Sequence, residues 1–229
     1  MLEGKVIVVT GALGALGRAV AATAETAGAR VARMDQARAG TAGELVFEGL
    51  DLTDETAAGA ALAEIAAQCG RIDGLVNIAG GFTWRTLADS PTKVWEEMFH
   101  INLLTAVTAT RAALGFLKSG AAIVNVGANA AGRAAAGMGP YAASKSGVAR
   151  LTESLSEELL GAGVRVNAVL PSIIDTPTNR RDMPKADFTA WIRPDDLAKV
   201  IVFLLSDAST AVTGACIPVT RGPGEAASA

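Results

Sequence analysis

The sequence predicts a single α/β domain over residues 1–229, built as a doubly wound, mostly parallel seven-stranded sheet with helices on both faces. Three observations predict it. Seven short β-branched runs alternate with longer helical stretches. The runs are almost continuously apolar, as strands covered on both faces are, rather than alternating. Finally, 229 residues, half of them hydrophobic and including 47 alanines and 25 glycines, suffice for one large core with closely packed layers.

The first strand is 5–9 (KVIVV), followed by a helix over 15–27. Strands 30–34 (RVARM) and 44–47 precede a helix at 53–68, which Thr53 is expected to open, with Asp54 and Glu55 in its first turn. Strand 72–77 (IDGLVN) leads into one long helical stretch, 91–118. Strand 121–126 (AAIVNV), helix 141–160, strand 163–169 (GVRVNAV), helix 194–205 and strand 215–219 complete the alternation. Right-handed crossovers between parallel neighbours then build the doubly wound order. Residues 172–195 interrupt it with Pro177, Pro184, Pro194 and no steady period. A loop of that length in a compact domain is expected to be a lid or binding element. Residues 222–229 are expected to fray.

Composition excludes several functions. The net charge is −3, from 20 basic and 23 acidic residues without a long run of either sign. Nucleic acid and anionic membrane surfaces are therefore not expected partners. Cys69 and Cys216 match no metal-ligand spacing, which predicts a reduced, cytoplasmic protein with no metal. The start, MLEGKVIVVTG, lacks a basic-then-apolar leader, so no export signal is expected. No apolar run approaches the roughly 20 residues that span a bilayer.

The first strand runs directly into Thr10-Gly11-Ala12-Leu13-Gly14-Ala15-Leu16-Gly17, and a helix follows. Glycines allow the sharp turn and let backbone amides approach a pyrophosphate, while the helix start adds free N–H donors and partial positive charge. An ordinary glycine-rich turn could look the same. Its position after the first strand and its acidic partner, Asp35, favour a nucleotide. Asp35 ends the second strand, 18 residues after Gly17. A carboxylate there accepts from the adenosine ribose hydroxyls and repels a 2′-phosphate, so NAD(H) is expected over NADP(H). Arg33 and Arg38 lie nearby and keep NADP(H) open; Asp35 could otherwise serve as a turn cap.

Further along stands Tyr141-Ala142-Ala143-Ser144-Lys145. The i, i+4 spacing puts Tyr141 and Lys145 on one helix face. An ammonium near a phenol favours phenolate, and the expectation is a lowered Tyr141 pKa and a general acid or base. Tyr141 is the only tyrosine.

With these residues the chain resembles the short-chain dehydrogenases/reductases, over nearly its whole length. The matching pieces are Thr10–Gly17, Asp51-Leu52-Thr53, Asn77-Ile78-Ala79-Gly80, Asn102, Ile123-Val124-Asn125-Val126, Tyr141/Lys145 and Val166-Asn167-Ala168-Val169-Leu170-Pro171. The resemblance implies a Rossmann fold and a homodimer or homotetramer packed through helices 91–118 and 141–160. It also implies that Asp51 and Leu52 lie by the adenine, and that Asn77, Ala79 and Gly80 support the cofactor. Lys145 would bind the nicotinamide ribose, and Asn102 would hold a water in the proton relay. The segment after Pro171, with Ile173, Ile174 and Thr176, would close over nicotinamide and substrate.

Two departures stand out. The short branch of the family has glycine where this chain has Ala15, while Gly14 takes the longer branch's position. The family's catalytic serine, 13 residues before the tyrosine, is Ala128 here. Losing one such donor elsewhere costs about 10²–10³ in rate. Three explanations are open: lost activity, a substitute donor such as Asn129, or a substrate that does not need one. Leu170–Trp191 resembles the substrate loop of quinonoid dihydropteridine reductases, which share the Ala79-Gly80-Gly81 turn and an alanine for the serine. A quinonoid pterin accepts hydride readily, which favours the last explanation. Phe82 and Trp84 follow that turn and either line the substrate site or cap the core. Trp191 is counted with the substrate loop as its anchor, His100 as a packed or surface residue, and Arg180 and Arg181 as loop charges that could meet an anion.

The expected function is hydride transfer between nicotinamide and a small carbonyl, alcohol or quinonoid substrate. The rival is a nucleotide-binding regulatory protein that lost turnover with the serine; the retained Tyr141 and Lys145 argue against it.

Overall fold

The structure, a computed structural model, describes residues 1–38, 40, 43 and 45–220. The expected fraying at 222–229 lies outside the described residues. All seven expected strands form: β1 (Val6–Thr10), β2 (Arg30–Asp35), β3 (Val46–Glu48), β4 (Ile72–Asn77), β5 (Leu117–Val126), β6 (Arg165–Pro171) and β7 (Cys216–Val219). They make one sheet in the order β3-β2-β1-β4-β5-β6-β7, and every described pair is parallel. Strand order reverses between β1 and β4, so a crevice opens beyond their carboxyl ends, at Thr10 and Asn77.

The helices are α1 (Ala15–Thr26), α2 (Glu55–Cys69), α3 (Thr92–Phe99), α4 (Thr105–Ala113), α5 (Gly139–Glu158), α6 (Pro177–Asp182) and α7 (Pro194–Leu205). Two apolar layers cover the sheet. Val20 of α1 and Ile201 and Leu204 of α7 pack on Ile7, Val9 and Val124. On the other face Leu62 and Ile65 of α2 and Leu155 of α5 pack on Val8, Ile123 and Val166. Each such buried side chain contributes about 1.5–3 kcal/mol, so the layers hold the strand ends rigidly in register.

The structure corrects four expectations. The stretch 91–118 is not one helix: α3 passes through a π turn, His100–Leu104, into α4, and Thr105 N–H bonds back to His100 O. The chain turns at Gly115, so β5 begins at Leu117 rather than 121. Helix α2 is capped by Asp54, whose carboxylate accepts from Thr56 and Ala57 N–H, while Thr53 turns to Asp51 instead. Residues 172–195 are more ordered than a loop without period implied. Thr176 caps α6, Asn179 holds Ile174 O, and Ile174 bridges to Ile192. A six-residue helix is too short to leave a readable period.

Candidate active site

Thr10 ends β1 with its hydroxyl turned to the neighbouring strand. Its Oγ1 accepts from Ile78 N (3.0 Å) and Ala79 N (3.2 Å), binding the glycine loop to the turn after β4. Gly11 has φ 63°, and a Cβ there would lie 2.8 Å from Ala79 N, so conformation and space both require glycine. The loop continues through Leu13 to Gly14, the N-cap of α1, whose first amides receive no side-chain cap. Ala15 is the first helical residue, a position that accepts a Cβ, and Leu16 and Gly17 are buried beneath it. Asp35 ends β2 beside this loop, accepting from Leu13 N and Ala37 N, both at 2.8 Å. Asp51 accepts from Thr53 N (2.9 Å) and Thr53 Oγ1 (2.8 Å), which hold its carboxyl below the ordinary range, and Leu52 is buried behind it. Amide donors at an uncapped helix start, a glycine-only turn and a flanking carboxylate acceptor are the groups that suit a dinucleotide.

Helix α5 carries the second half of the site, with Pro140 in its first turn. Lys145 is 5% exposed, and its Nζ donates to Val126 O at the end of β5 (2.8 Å). Ser144 Oγ donates to Tyr141 O (2.7 Å) and accepts from Asn102 Nδ2 (3.1 Å). Asn102, in the π turn, also clasps Gly81: Oδ1 accepts from Gly81 N (3.0 Å) and Nδ2 donates to Gly81 O (3.1 Å). A Cβ on Gly80 would sit 2.5 Å from Asn102 Oδ1 and 3.4 Å from Lys145 Nζ, so both side chains converge on that glycine. The packed structure thus unites Gly80–Gly81, Asn102, Val126 and Tyr141–Lys145. Asn77, expected to support the cofactor, donates from Nδ2 into the core, to Thr110 Oγ1 (3.0 Å) and Asn125 Oδ1 (2.9 Å).

Burial, not the ammonium, sets the ionisation of the pair. The Tyr141 phenol is pushed up to about 12 rather than lowered, and the Lys145 ammonium falls from 10.5 to about 8. Both charged forms lose hydration, and Lys145 gives its hydrogen bond to a backbone carbonyl.

On the substrate side, Ala128 follows β5 and is 4% exposed, with the exposed Asn129 opening a short turn after it. Phe82 stands edge-on to the Tyr141 ring, 4.9 Å between centroids. Trp84 donates from Nε1 to Ala136 O (3.0 Å) and lies against Gly137, whose φ is 76°. Phe82 and Trp84 are 58% and 60% exposed, which removes the core-cap alternative. Trp191 is buried against Phe188 and anchors the loop. Arg180 is committed within the loop, forked on Asp175 (2.6 and 2.7 Å) and stacked over Phe188; Arg181 lies 3.6 Å from Asp182. Pro171 ends β6, and Ile173, Ile174 and Thr176 follow it, Ile173 exposed. His100 is exposed, close enough to Asp51 to favour its charge.

Sequence reasoning missed Ser144. Its place three residues after Tyr141 on the same helix face was the available signal.

A family profile described as Enoyl-(Acyl carrier protein) reductase matches residues 11–223. The chain is 32% identical to a 3-oxoacyl-(acyl-carrier-protein) reductase of Thermotoga maritima, over 96% of this chain and 98% of that one. It superposes on a Brucella melitensis protein titled short-chain dehydrogenase/reductase, glucose/ribitol dehydrogenase, with TM-score 0.89, 31% identity and 98% coverage of each chain. A 3-ketoacyl-(acyl-carrier-protein) reductase from the same organism, solved with NADH, gives TM-score 0.85 and 27% identity, over 98% of this chain and 100% of that one. Given this coverage, and a crevice that joins the glycine loop to Tyr141 and Lys145, the chain is an oxidoreductase and belongs to the short-chain dehydrogenase/reductase family.

Proposed function

We propose that this oxidoreductase uses NAD(H), in preference to NADP(H), to transfer hydride between nicotinamide and a small carbonyl, alcohol or quinonoid substrate. Ala128 favours the quinonoid, dihydropteridine-like class. The observation that carries this choice is the buried methyl of Ala128 where relatives of the expected pattern place a hydroxyl. Without that donor an unactivated ketone is poorly polarised, whereas a conjugated acceptor is already electrophilic.

When bound, the nicotinamide ring supplies or accepts the hydride. The glycine loop and the start of α1 would hold the pyrophosphate, Asp35 the adenosine ribose, Asp51 and Leu52 the adenine, and Lys145 the nicotinamide ribose. Tyr141 Oη exchanges the proton. A phenol held near 12 is protonated at neutral pH, so Tyr141 Oη is a proton donor there. The Asn102 side chain, occupied by Gly81 and Ser144, fixes the turn that carries Phe82; a relay water would rely on its backbone. Phe82 and Trp84 present exposed ring surface to a flat substrate. Exposed Phe99, Ile101 and Leu104 along α3 and the π turn support a homo-oligomer formed through that face.

The deciding experiment follows NADH oxidation with quinonoid dihydropterin, quinones, ketones and aldehydes. Quinonoid acceptors should exceed simple ketones by at least about tenfold in kcat/KM. Equal rates would refute the quinonoid preference, and no oxidation of NADH by any acceptor despite tight NADH binding would indicate a regulatory nucleotide-binding role.

A further inference from the structure

Alternate residues of a strand share a face, so Val31, Arg33 and Asp35 of β2 point the same way. It is the face that α1 covers, since Val31 packs in one cluster with Val20, Ala21 and Ala24. Arg33 lies about 6–7 Å back along the strand from Asp35, within reach of its carboxylate for an extended arginine. It does not reach there. Nη2 donates to Glu25 Oε1 at 2.7 Å, and Nη1 contacts Val31 O at 3.4 Å. Glu25 sits in the last turn of α1, over the beginning of β2, so both contacts draw the guanidinium away from the crevice. Two other cations lie near the loop. Arg18 Nε donates to Leu13 O (2.7 Å), and the Arg38 guanidinium lies against Gly49, where an added Cβ would meet its Nε at 2.6 Å.

We propose that Glu25 sets cofactor specificity by holding Arg33 away from Asp35. Asp35 then meets the ribose as an unopposed carboxylate. The inference rests on the NAD(H) reading above and adds a residue that touches no cofactor: Glu25 is a positioning residue acting through Arg33. Released, the guanidinium can swing up the strand, pair with Asp35 and cancel its repulsion. It can also offer planar donors to a 2′-phosphate.

The test is calorimetric titration of NADH and NADPH into the wild type, Glu25→Gln, Arg33→Ala and the double variant, at low salt. Melting curves confirm that each is folded. Glu25→Gln should tighten NADPH about two- to fivefold, the scale of one exposed ion pair, with NADH affinity unchanged. Arg33→Ala alone should leave the NADPH/NADH ratio unchanged, and the double variant should return it to the wild-type value. If the double variant keeps the tightened NADPH binding, Glu25 acts through bulk charge and the inference is overturned. A wild-type NADH preference that Glu25→Gln does not move overturns it too, leaving Asp35 intact as the discriminator. Wild type binding NADPH as tightly as NADH overturns the NAD(H) reading itself, and this inference with it.

Discussion

Lys145 should be required for turnover and costly to stability at once. Its ammonium is buried, with a pKa brought down from 10.5 to about 8 by lost hydration. Because the folded value lies below the unfolded one, the folded state holds fewer protons between these limits. Stability therefore rises with pH across roughly 8 to 10.5, and the full penalty applies below 8. The shift corresponds to about 3 kcal/mol. Lys145→Met removes that charge and keeps most of the side-chain volume, but strips Val126 O of its donor, a loss of about 1–2 kcal/mol. The net expectation at pH 7 is a gain of about 1–2 kcal/mol, or about 2–8 °C in Tm for a domain of this size. Urea unfolding of wild type and variant at matched protein concentration, at pH 7 and 10, measures it. The stability difference should shrink toward the high pH, while NADH-dependent turnover is abolished at both. A wild-type stability that is flat over this range, together with a Lys145→Met protein less stable at pH 7, would refute the reasoning.

Tyr141→Phe should remove most turnover with simple ketones while NADH affinity, read by titration, stays within about threefold, because only the proton donor is deleted. If the phenol stays near 12, oxidation of an alcohol, which needs phenolate, should accelerate as pH rises from 7 to 10; a flat profile would count against Tyr141 as the base. Ala128→Ser should raise kcat/KM on unactivated ketones about tenfold and leave a quinonoid acceptor nearly unchanged; no gain on ketones would mean that another group, such as Asn129, already polarises them. Gly137→Ala should destabilise the protein by about 1–3 kcal/mol in urea unfolding, since an added methyl meets the Trp84 ring at a positive φ.

Much of the architecture is local and therefore readable from the sequence. Runs such as VIVVT and IDGLVN are buried on both faces, and their alternation with helices implies the parallel sheet before any packing is known. The glycine loop and the Tyr141–Lys145 spacing are local too, because backbone conformation and helical period are set within a few residues. The tertiary structure decided what depends on distant partners. Residues 91–118 carry one helical pattern, but Asn102 reaches Gly81 and Ser144 across a π turn that no period encodes. Spacing alone put an ammonium beside a phenol. Burial by the surrounding layers then moved both pKa values the other way, because desolvation depends on what packs around a charge. Likewise Arg33 and Asp35 are neighbours in sequence, yet Glu25, from the far end of a helix, decides where the guanidinium points. The sequence determined which groups the crevice contains; folding determined which of them are charged, which are already engaged and which are left to meet a substrate.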